Sequence, residues 1–341
     1  MTRRRPGPPE PGPAAASLKS IADEVGVSVS TVSRAFTRPE MIGERTRHRI
    51  LSVAERVGYQ PNRSARGLAT GRTAVLGLLV PDIANPFFPP LVRAAENRAD
   101  EAGYAVLLAD TDEHAEREHR LMRETLSRAD GLVLCSPRSA TAPIKEIAAR
   151  RPVVLVNRTI PGVASVVCSV DTGVGALMEH LHALGHRDLV YLGGPASSWS
   201  DKEKRGCVRR HAERLGLTVE VLGPYPPSFE GGLAAAEAVA RHAATAALAC
   251  DDVVALGTIR GLTERGHDVP GSVSVAGCDD VLFAGMTAPA LTTIAMPNEL
   301  AGRTAVDLLL DRLADPGRAR QVVLPSSFVA RDSTGPRGAG R

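Results

Sequence analysis

The chain has 341 residues, 43% of them hydrophobic and only 3% aromatic, so it has room for two or three domains whose cores are aliphatic. Its formal charge of +3 is unevenly spread: residues 1–73 carry 13 Lys+Arg against 6 Asp+Glu, and the remainder carries 28 against 32. A basic head on a mildly acidic body points to a polyanion as the head's partner; no apolar run of about 18 residues is present to span a membrane, and five scattered cysteines without a CxxC pair read as reduced, buried thiols rather than a disulfide frame or zinc site.

Residues 1–17 are rich in Pro, Gly and Ala and are predicted to be a disordered arm. The arginines at its start resemble the charged end of a signal peptide, but no apolar region follows, so a cytoplasmic protein is expected. Leu18, Ile21, Ala22 and Val25 then fall at helical spacing, with Ser17 as cap and Gly26 as stop. Ser28 caps a second short helix, whose apolar side is Val32, Ala35 and Phe36. The hydroxyls of Ser28, Ser30, Thr31 and Ser33 suit phosphate contacts, Arg34 suits a bidentate contact to guanine, and Val29 suits a thymine methyl. A third helix over 44–57 completes a helix-turn-helix head spanning 18–61. Residues 62–73 have two readings: a flexible basic linker off DNA, or a hinge helix capped by Asn62 that folds on DNA, with Leu68 as an apolar wedge.

From Ala74 the texture alternates. Strands are predicted over 74–80, 104–109, 131–135, 153–157, 163–169, 189–193, 218–222, 246–250 and 273–277. Helices are predicted over 88–101, 115–128, 144–150, 174–184, 202–215, 232–243, 253–265 and 300–313. This rhythm implies parallel sheets covered on both faces, hence an α/β ligand-binding region of two doubly wound lobes that face each other across a cleft. The expected N-lobe is about 74–169 with 294–320, the C-lobe about 170–293 with 321–331, and 332–341 a disordered tail.

Several motifs then resemble one family. They are Leu18-Lys19-Ser20-Ile21-Ala22-Asp23-Glu24-Val25-Gly26-Val27-Ser28 with Thr31-Val32-Ser33-Arg34, then Gly58-Tyr59-Gln60-Pro61-Asn62 and Ala65-Arg66-Gly67-Leu68. Leu76 to Phe88, Leu184-Gly185-His186-Arg187, Gly193-Gly194-Pro195, Asp252 to Gly257, Ser274 to Asp280 and Leu291-Thr292-Thr293-Ile294 continue the likeness. Together they resemble the lac repressor and purine repressor family of bacterial transcriptional regulators over roughly residues 18–330. The resemblance implies a homodimeric repressor on a near-palindromic DNA operator, with a ligand domain like a periplasmic sugar-binding protein. It also implies base reading by Val29, Ser30 and Arg34, and hinge contacts from Asn62, Ala65, Arg66 and Leu68, with Leu68 entering the minor groove. Only 332–341 follow the last matched strand, which leaves no tetramerising tail and predicts a dimer.

The resemblance carries effector-binding roles onto single positions. Phe87 and Phe88 would offer apolar faces to a ring. Asn157 and Arg158 resemble the family's Asp-Arg pair, Lys202 stands where Arg is common, and Arg138 lies on the same rim. Asp251 and Asp252 resemble an Asn-Asp pair, and Asp279 heads the Asp-Asp after Cys278, where an aromatic is usual. Carboxylates beside guanidinium groups suit the hydroxyls of a neutral polyol, so the effector is expected to be a small molecule, a sugar. Asp251, Asp252, Asp279 and Asp280 read as ligand binders and helix caps rather than a glycosidase pair, and neither a cofactor nor a metal is expected. His180 and His182 do not share a helix face, which argues against zinc, and His186 is expected to assist a helix end. A cytoplasmic sugar receptor or a sugar-processing enzyme without operator binding is the alternative; the basic head opposes the first and the lack of a catalytic frame opposes the second.

Overall fold

Ser17 opens the first helix of the head through a reciprocal cap. Its Oγ accepts from the Ser20 amide at 3.1 Å, while its own amide donates to Ser20 Oγ at 3.0 Å. That helix, α1 (Leu18–Val25), stops at Gly26, whose φ of +72° is the left-handed region a side chain disfavours. Ser28 caps α2 (Val29–Thr37) by accepting from the Thr31 amide at 3.1 Å, and α3 (Glu44–Arg56) follows a single 3-10 turn at Pro39–Met41. Ile21, Ala22, Val25, Val32, Ala35, Ile50 and Ala54 are buried together between the three helices. Phe36 and Tyr59 close the edge, with ring centroids 5.8 Å apart. The core is small, and Arg49 reinforces it by donating to the Val25 carbonyl at 3.0 Å.

The computed structural model describes residues 17–59, 72–315 and 317–338. The chain divides into two units, Met1–Thr73 and Ala74–Arg341. The hinge positions Asn62, Ala65, Arg66 and Leu68 lie outside the described residues.

The second unit begins with β1 (Val75–Val80), α4 (Phe88–Glu101), β2 (Ala105–Asp110), α5 (Ala115–Leu126), β3 (Gly131–Cys135), α6 (Thr141–Ala148), β4 (Val153–Val156) and β5 (Ala164–Ser169). It continues with α7 (Asp171–Ala183), β6 (Asp188–Leu192), α8 (Trp199–Leu215), β7 (Thr218–Leu222), α9 (Phe229–Arg241), β8 (Ala246–Ala249), α10 (Asp252–Glu264) and β9 (Ser274–Ala276). The return segment adds β10 (Thr293–Ala295), α11 (Asn298–Ala314), β11 (Gln321–Pro325) and β12 (Ser327–Val329).

The N-lobe sheet runs β11-β5-β4-β3-β1-β2 and the C-lobe sheet β7-β6-β8-β9, with parallel pairing throughout both. Near-continuous Val, Leu and Ala runs such as Val153–Val156 and Ala246–Ala249 are buried on both faces, as parallel strands under two helical layers must be. Helix α11 returns to the N-lobe and lies tightly on α4: a Cβ at Gly302 would sit 2.2 Å from the Leu91 carbonyl oxygen.

Two boundaries differ from those expected. Residues 321–325 join the N-lobe sheet as an edge strand, Gln321 opposite Ser165, rather than the C-lobe. Residues 332–338 are fastened to the C-lobe rather than belonging to a disordered tail. The Val275 amide donates to the Ser333 carbonyl at 2.9 Å, Ser333 Oγ donates to the Val275 carbonyl at 2.6 Å, and the Arg337 amide donates to the Leu184 carbonyl at 2.8 Å. His186 is part of that seam rather than a helix-end charge. It is buried, its Nδ1 pairs with Thr245 Oγ1 at 2.8 Å, and its Nε2 lies 3.1 Å from the Gly335 carbonyl. Burial holds its ring below the usual histidine value.

Candidate functional site

In the head, one face of α2 is turned to water. Val32 and Ala35 point into the core, which leaves Val29, Ser30 and Arg34 exposed and Thr31 and Ser33 half-buried. Val29 is 45% exposed. Ser28 Oγ lies 2.8 Å from both Ser30 Oγ and Thr31 Oγ1, so the first turn presents a joined cluster of hydroxyls at the helix N-terminus. This end can meet an anion, and one exposed guanidinium stands a turn further on.

In the second unit, a cavity of about 600 Å³ lies where the carboxyl ends of both sheets meet. Seven of its wall residues sit just past strand ends: Glu113 after β2, Ser136 and Arg138 after β3, Asn157 after β4, Gly194 after β6, Asp251 after β8 and Asp279 after β9. Glu113, Ser136, Asn157 and Asp279 all have positive φ, of 58°, 43°, 54° and 140°. Four strained non-glycine residues on one cavity mark it as a place where side-chain aim outweighs backbone comfort.

Phe87 and Phe88 form the apolar wall, edge to face with centroids 4.9 Å apart. Arg138 lines the cavity but is gripped in two-pronged fashion by Glu113, Nε to Oε2 at 2.5 Å and Nη2 to Oε1 at 2.8 Å. Asn157 accepts from the Cys168 amide at 3.0 Å, which fixes its carbonyl end. Asp251 caps α10 through the Val254 amide at 2.8 Å. Asp279 faces Lys204, whose Nζ lies 3.8 Å away and also donates to the Cys250 carbonyl at 2.6 Å.

Burial raises the carboxyls of both Asp251 and Asp279, and Lys204 opposes that rise. Burial also works against charge on Lys204, but the negative field of Cys278, Asp279, Cys250 and Asp251 overcomes it and lifts the ammonium above its usual range. Burial keeps the Cys250 and Cys278 thiols protonated at neutral pH, so the carboxylates supply that field.

Three expected positions do not line the cavity. Lys202 is exposed on the outer side of α8, and Lys204 takes the inner place. One residue along a helix turns the side chain by about 100°, so two residues reverse it. Arg158 is buried behind the wall, where it donates to the carbonyls of Pro137 and Ser139 at 3.2 and 2.5 Å and braces the β3–α6 loop. Asp252 is fully buried, accepting from Thr293 Oγ1 at 2.5 Å and the Val281 amide at 2.9 Å; burial raises its carboxyl to about 6. Sequence reasoning missed Lys204, Glu113, Asp201, Ser198 and Met296. Asp201 and Lys204 share an inward face with Val208, a spacing visible once α8 is started at its Ser198 cap.

Residues 17–62 match the family of bacterial regulatory proteins named for lacI, and residues 178–334 match the periplasmic binding protein-like domain. The HTH-type transcriptional regulator PtxS of Pseudomonas plecoglossicida is 30% identical over 326 residues, covering 93% of this chain and 95% of the relative. The chain belongs to the lacI family. A second member, the HTH-type transcriptional regulator DegA of Bacillus subtilis, is 29% identical over 338 residues, covering 94% of this chain and 98% of its own. The lac repressor dimer, solved with operator and the anti-inducer ONPF, superposes with a TM-score of 0.84 at 27% identity, covering 94% of this chain and 99% of that one. A lacI-family regulator from Enterococcus faecium with bound ribose aligns at a TM-score of 0.67 and 29% identity, over 77% and 99%. This lacI-family chain is therefore a helix-turn-helix transcriptional regulator with an effector-binding domain, not an enzyme. Among its described residues, no helix is long and apolar enough to cross a membrane.

Proposed function

We propose that the protein is a cytoplasmic repressor that binds a near-palindromic operator as a homodimer, and that a neutral sugar in the interlobe cavity sets its operator affinity. One observation carries the effector class. The cavity presents Glu113, Asp201, Asp251 and Asp279, and the two cations that line it among the described residues, Arg138 and Lys204, are already committed to Glu113 and to Asp279. Among the described residues, no lining cation is left to neutralise a phosphate or carboxylate, whereas acids, serines and Asn157 suit hydroxyl groups, with Phe87 and Phe88 against a ring face. The expected binding set is Phe87, Phe88, Arg138, Asn157, Asp251 and Asp279, with Lys204 in place of Lys202.

Homodimerisation is supported by exposed apolar residues on the C-lobe turn Leu282–Gly285 and beside it, with Leu282 at 73% and Met286 at 70% exposure. Ser28, Val29, Ser30, Thr31, Ser33 and Arg34 are assigned to the operator's major groove. Asn62, Ala65, Arg66 and Leu68 are assigned to its centre. Calorimetry with monosaccharides, nucleosides and phosphosugars tests the effector: an uncharged sugar binds, and preferential binding of a phosphosugar overturns the assignment. A gel shift on the DNA upstream of its own gene tests the operator; no retarded band at low salt removes the repressor reading.

A further inference from the structure

Away from the cavity, Asp171, the first residue of α7, faces α8, where Cys207 and His211 are four residues apart and share one helical face. Asp171 Oδ1 lies 3.2 Å from Cys207 Sγ and 3.3 Å from His211 Nε2. All three donor atoms lie within 4.8 Å of one another. Around a tetrahedral zinc ion, with bonds of about 2.0–2.3 Å, neighbouring donor atoms sit about 3.3–3.5 Å apart, so the two separations from Asp171 Oδ1 are close to those of a coordination shell.

Two further features prepare the place. Gly175 on α7 admits the imidazole: a Cβ there would fall 2.8 Å from His211 Cε1. A separate cavity of about 440 Å³ opens beside the cluster, walled by Asp171, Glu203, Cys207, Arg210 and Trp199. It leaves an open side for a fourth ligand, and Glu203 puts a second carboxylate on the same wall.

We propose that Asp171, Cys207 and His211 bind one divalent transition cation of the zinc class, with the fourth position open to this cavity. Thiolate, imidazole and carboxylate together favour zinc or cobalt over magnesium or calcium. On binding, the Cys207 thiol loses its proton to solvent, and the two negative ligands balance the cation's charge. Arg210 is the competitor: its Nη2 donates to the same Asp171 oxygen at 3.2 Å, but the side chain is exposed and can swing into water. The proposal is independent of the sugar reading.

The test is a Co²⁺ titration of the untagged, reduced, metal-free full chain. One equivalent is expected to bind with a near-ultraviolet thiolate-to-cobalt band and intense visible bands of tetrahedral cobalt, displaced by Zn²⁺ but not by Mg²⁺. Trp199 emission is expected to change with the same stoichiometry. Cys207→Ser should abolish the thiolate band, His211→Ala should weaken binding at least tenfold, and Arg210→Ala should tighten it several-fold, all with wild-type circular dichroism. Only a metal site predicts the Arg210 result; a hydrogen-bonded latch between the two helices does not. A weak octahedral spectrum, a thiolate band that survives Cys207→Ser, or an Arg210→Ala chain of unchanged affinity overturns the assignment.

Discussion

Lys204→Met is the sharpest perturbation of the cavity, because it removes the ammonium facing two buried carboxyls. At 3.8 Å and an effective dielectric of about 20, the attraction between Lys204 and Asp279 amounts to about 4 kcal/mol. The charged hydrogen bond to the Cys250 carbonyl adds about 1.5–3 kcal/mol. Against these stands the cost of burying the ammonium, several kcal/mol, which the variant no longer bears. Removing one partner of a buried pair still leaves the other charge stranded, so a net loss of about 3–5 kcal/mol is expected. Asp279 can limit the loss by taking up a proton, since burial already raises its carboxyl. The deficit should therefore be smaller at pH 5 than at pH 7.5, and Asp279→Asn in the same chain should recover part of it. Urea unfolding followed by the emission of Trp199, on the same helix, gives the measurement. Lys202→Met, on the exposed side, should shift stability by no more than about 0.5 kcal/mol. Equal effects of the two substitutions, or a Lys204 deficit independent of pH, would refute the counter-charge argument.

Other outcomes follow from the same structure. Arg34→Ala should relax base choice at one operator position by about 1–3 kcal/mol, read by binding to a set of singly substituted duplexes; an unaltered preference counts against base reading. Gly302→Ala should lower the thermal stability of the N-lobe by about 1–3 kcal/mol despite alanine's better helix propensity, since the new methyl meets the Leu91 carbonyl oxygen; a more stable variant would show that α4 and α11 are not so close. His186 has a depressed folded value, so as pH falls below about 6.5 the unfolded chain takes protons first and stability drops; amides of 333–337 should exchange faster at pH 5.5 than at 7.5 relative to the rest of the lobe, and equal protection sinks this. Asp252 acts oppositely: with its folded value raised to about 6, its stabilising contribution is present below about pH 4 and lost as pH rises through 6, a swing of about 3 kcal/mol. Asp252→Asn should flatten that part of the C-lobe's pH profile, and an unchanged profile would contradict the role of burial.

The alternation of strands and helices was legible because parallel strands buried on both faces read as unbroken apolar runs; the predicted bounds of Phe88–Glu101, Gly131–Cys135 and Thr218–Leu222 coincide with the observed ones. The return strands were not. Thr293–Ala295 and Ser327–Val329 are three residues each, too short for a period, and Gln321–Pro325 pairs with Ala164–Ser169, a contact no local pattern encodes. At the cavity, adjacent pairs such as Asn157-Arg158 and Asp251-Asp252 marked the strand ends but not which partner faces inward, and in both the first residue does. The resemblance points to Lys202, but the helix runs from Trp199 and turns Lys204, two residues on, to the inner side. Glu113, twenty-five residues from Arg138, gave no sequence signal at all.

The way the charges close has a consequence for signalling. Arg138 pairs with Glu113 inside the N-lobe, and Lys204 pairs with Asp279 inside the C-lobe. At the cavity, each of these pairs satisfies its own wall and contributes nothing to holding the two walls together. A bound effector that hydrogen-bonds Asn157 on one side and Asp251 on the other supplies a bridge that these two pairs do not. The energy available to change the setting of the lobes is then the difference between the effector's affinities for the two settings. A molecule that contacts one wall alone can bind tightly and still leave operator affinity unchanged. Asn157→Ala and Asp251→Ala should therefore separate occupancy from response, each retaining some effector binding while losing most of the effector's influence on DNA; a variant that binds effector weakly yet responds in full at saturation would refute the bridging argument.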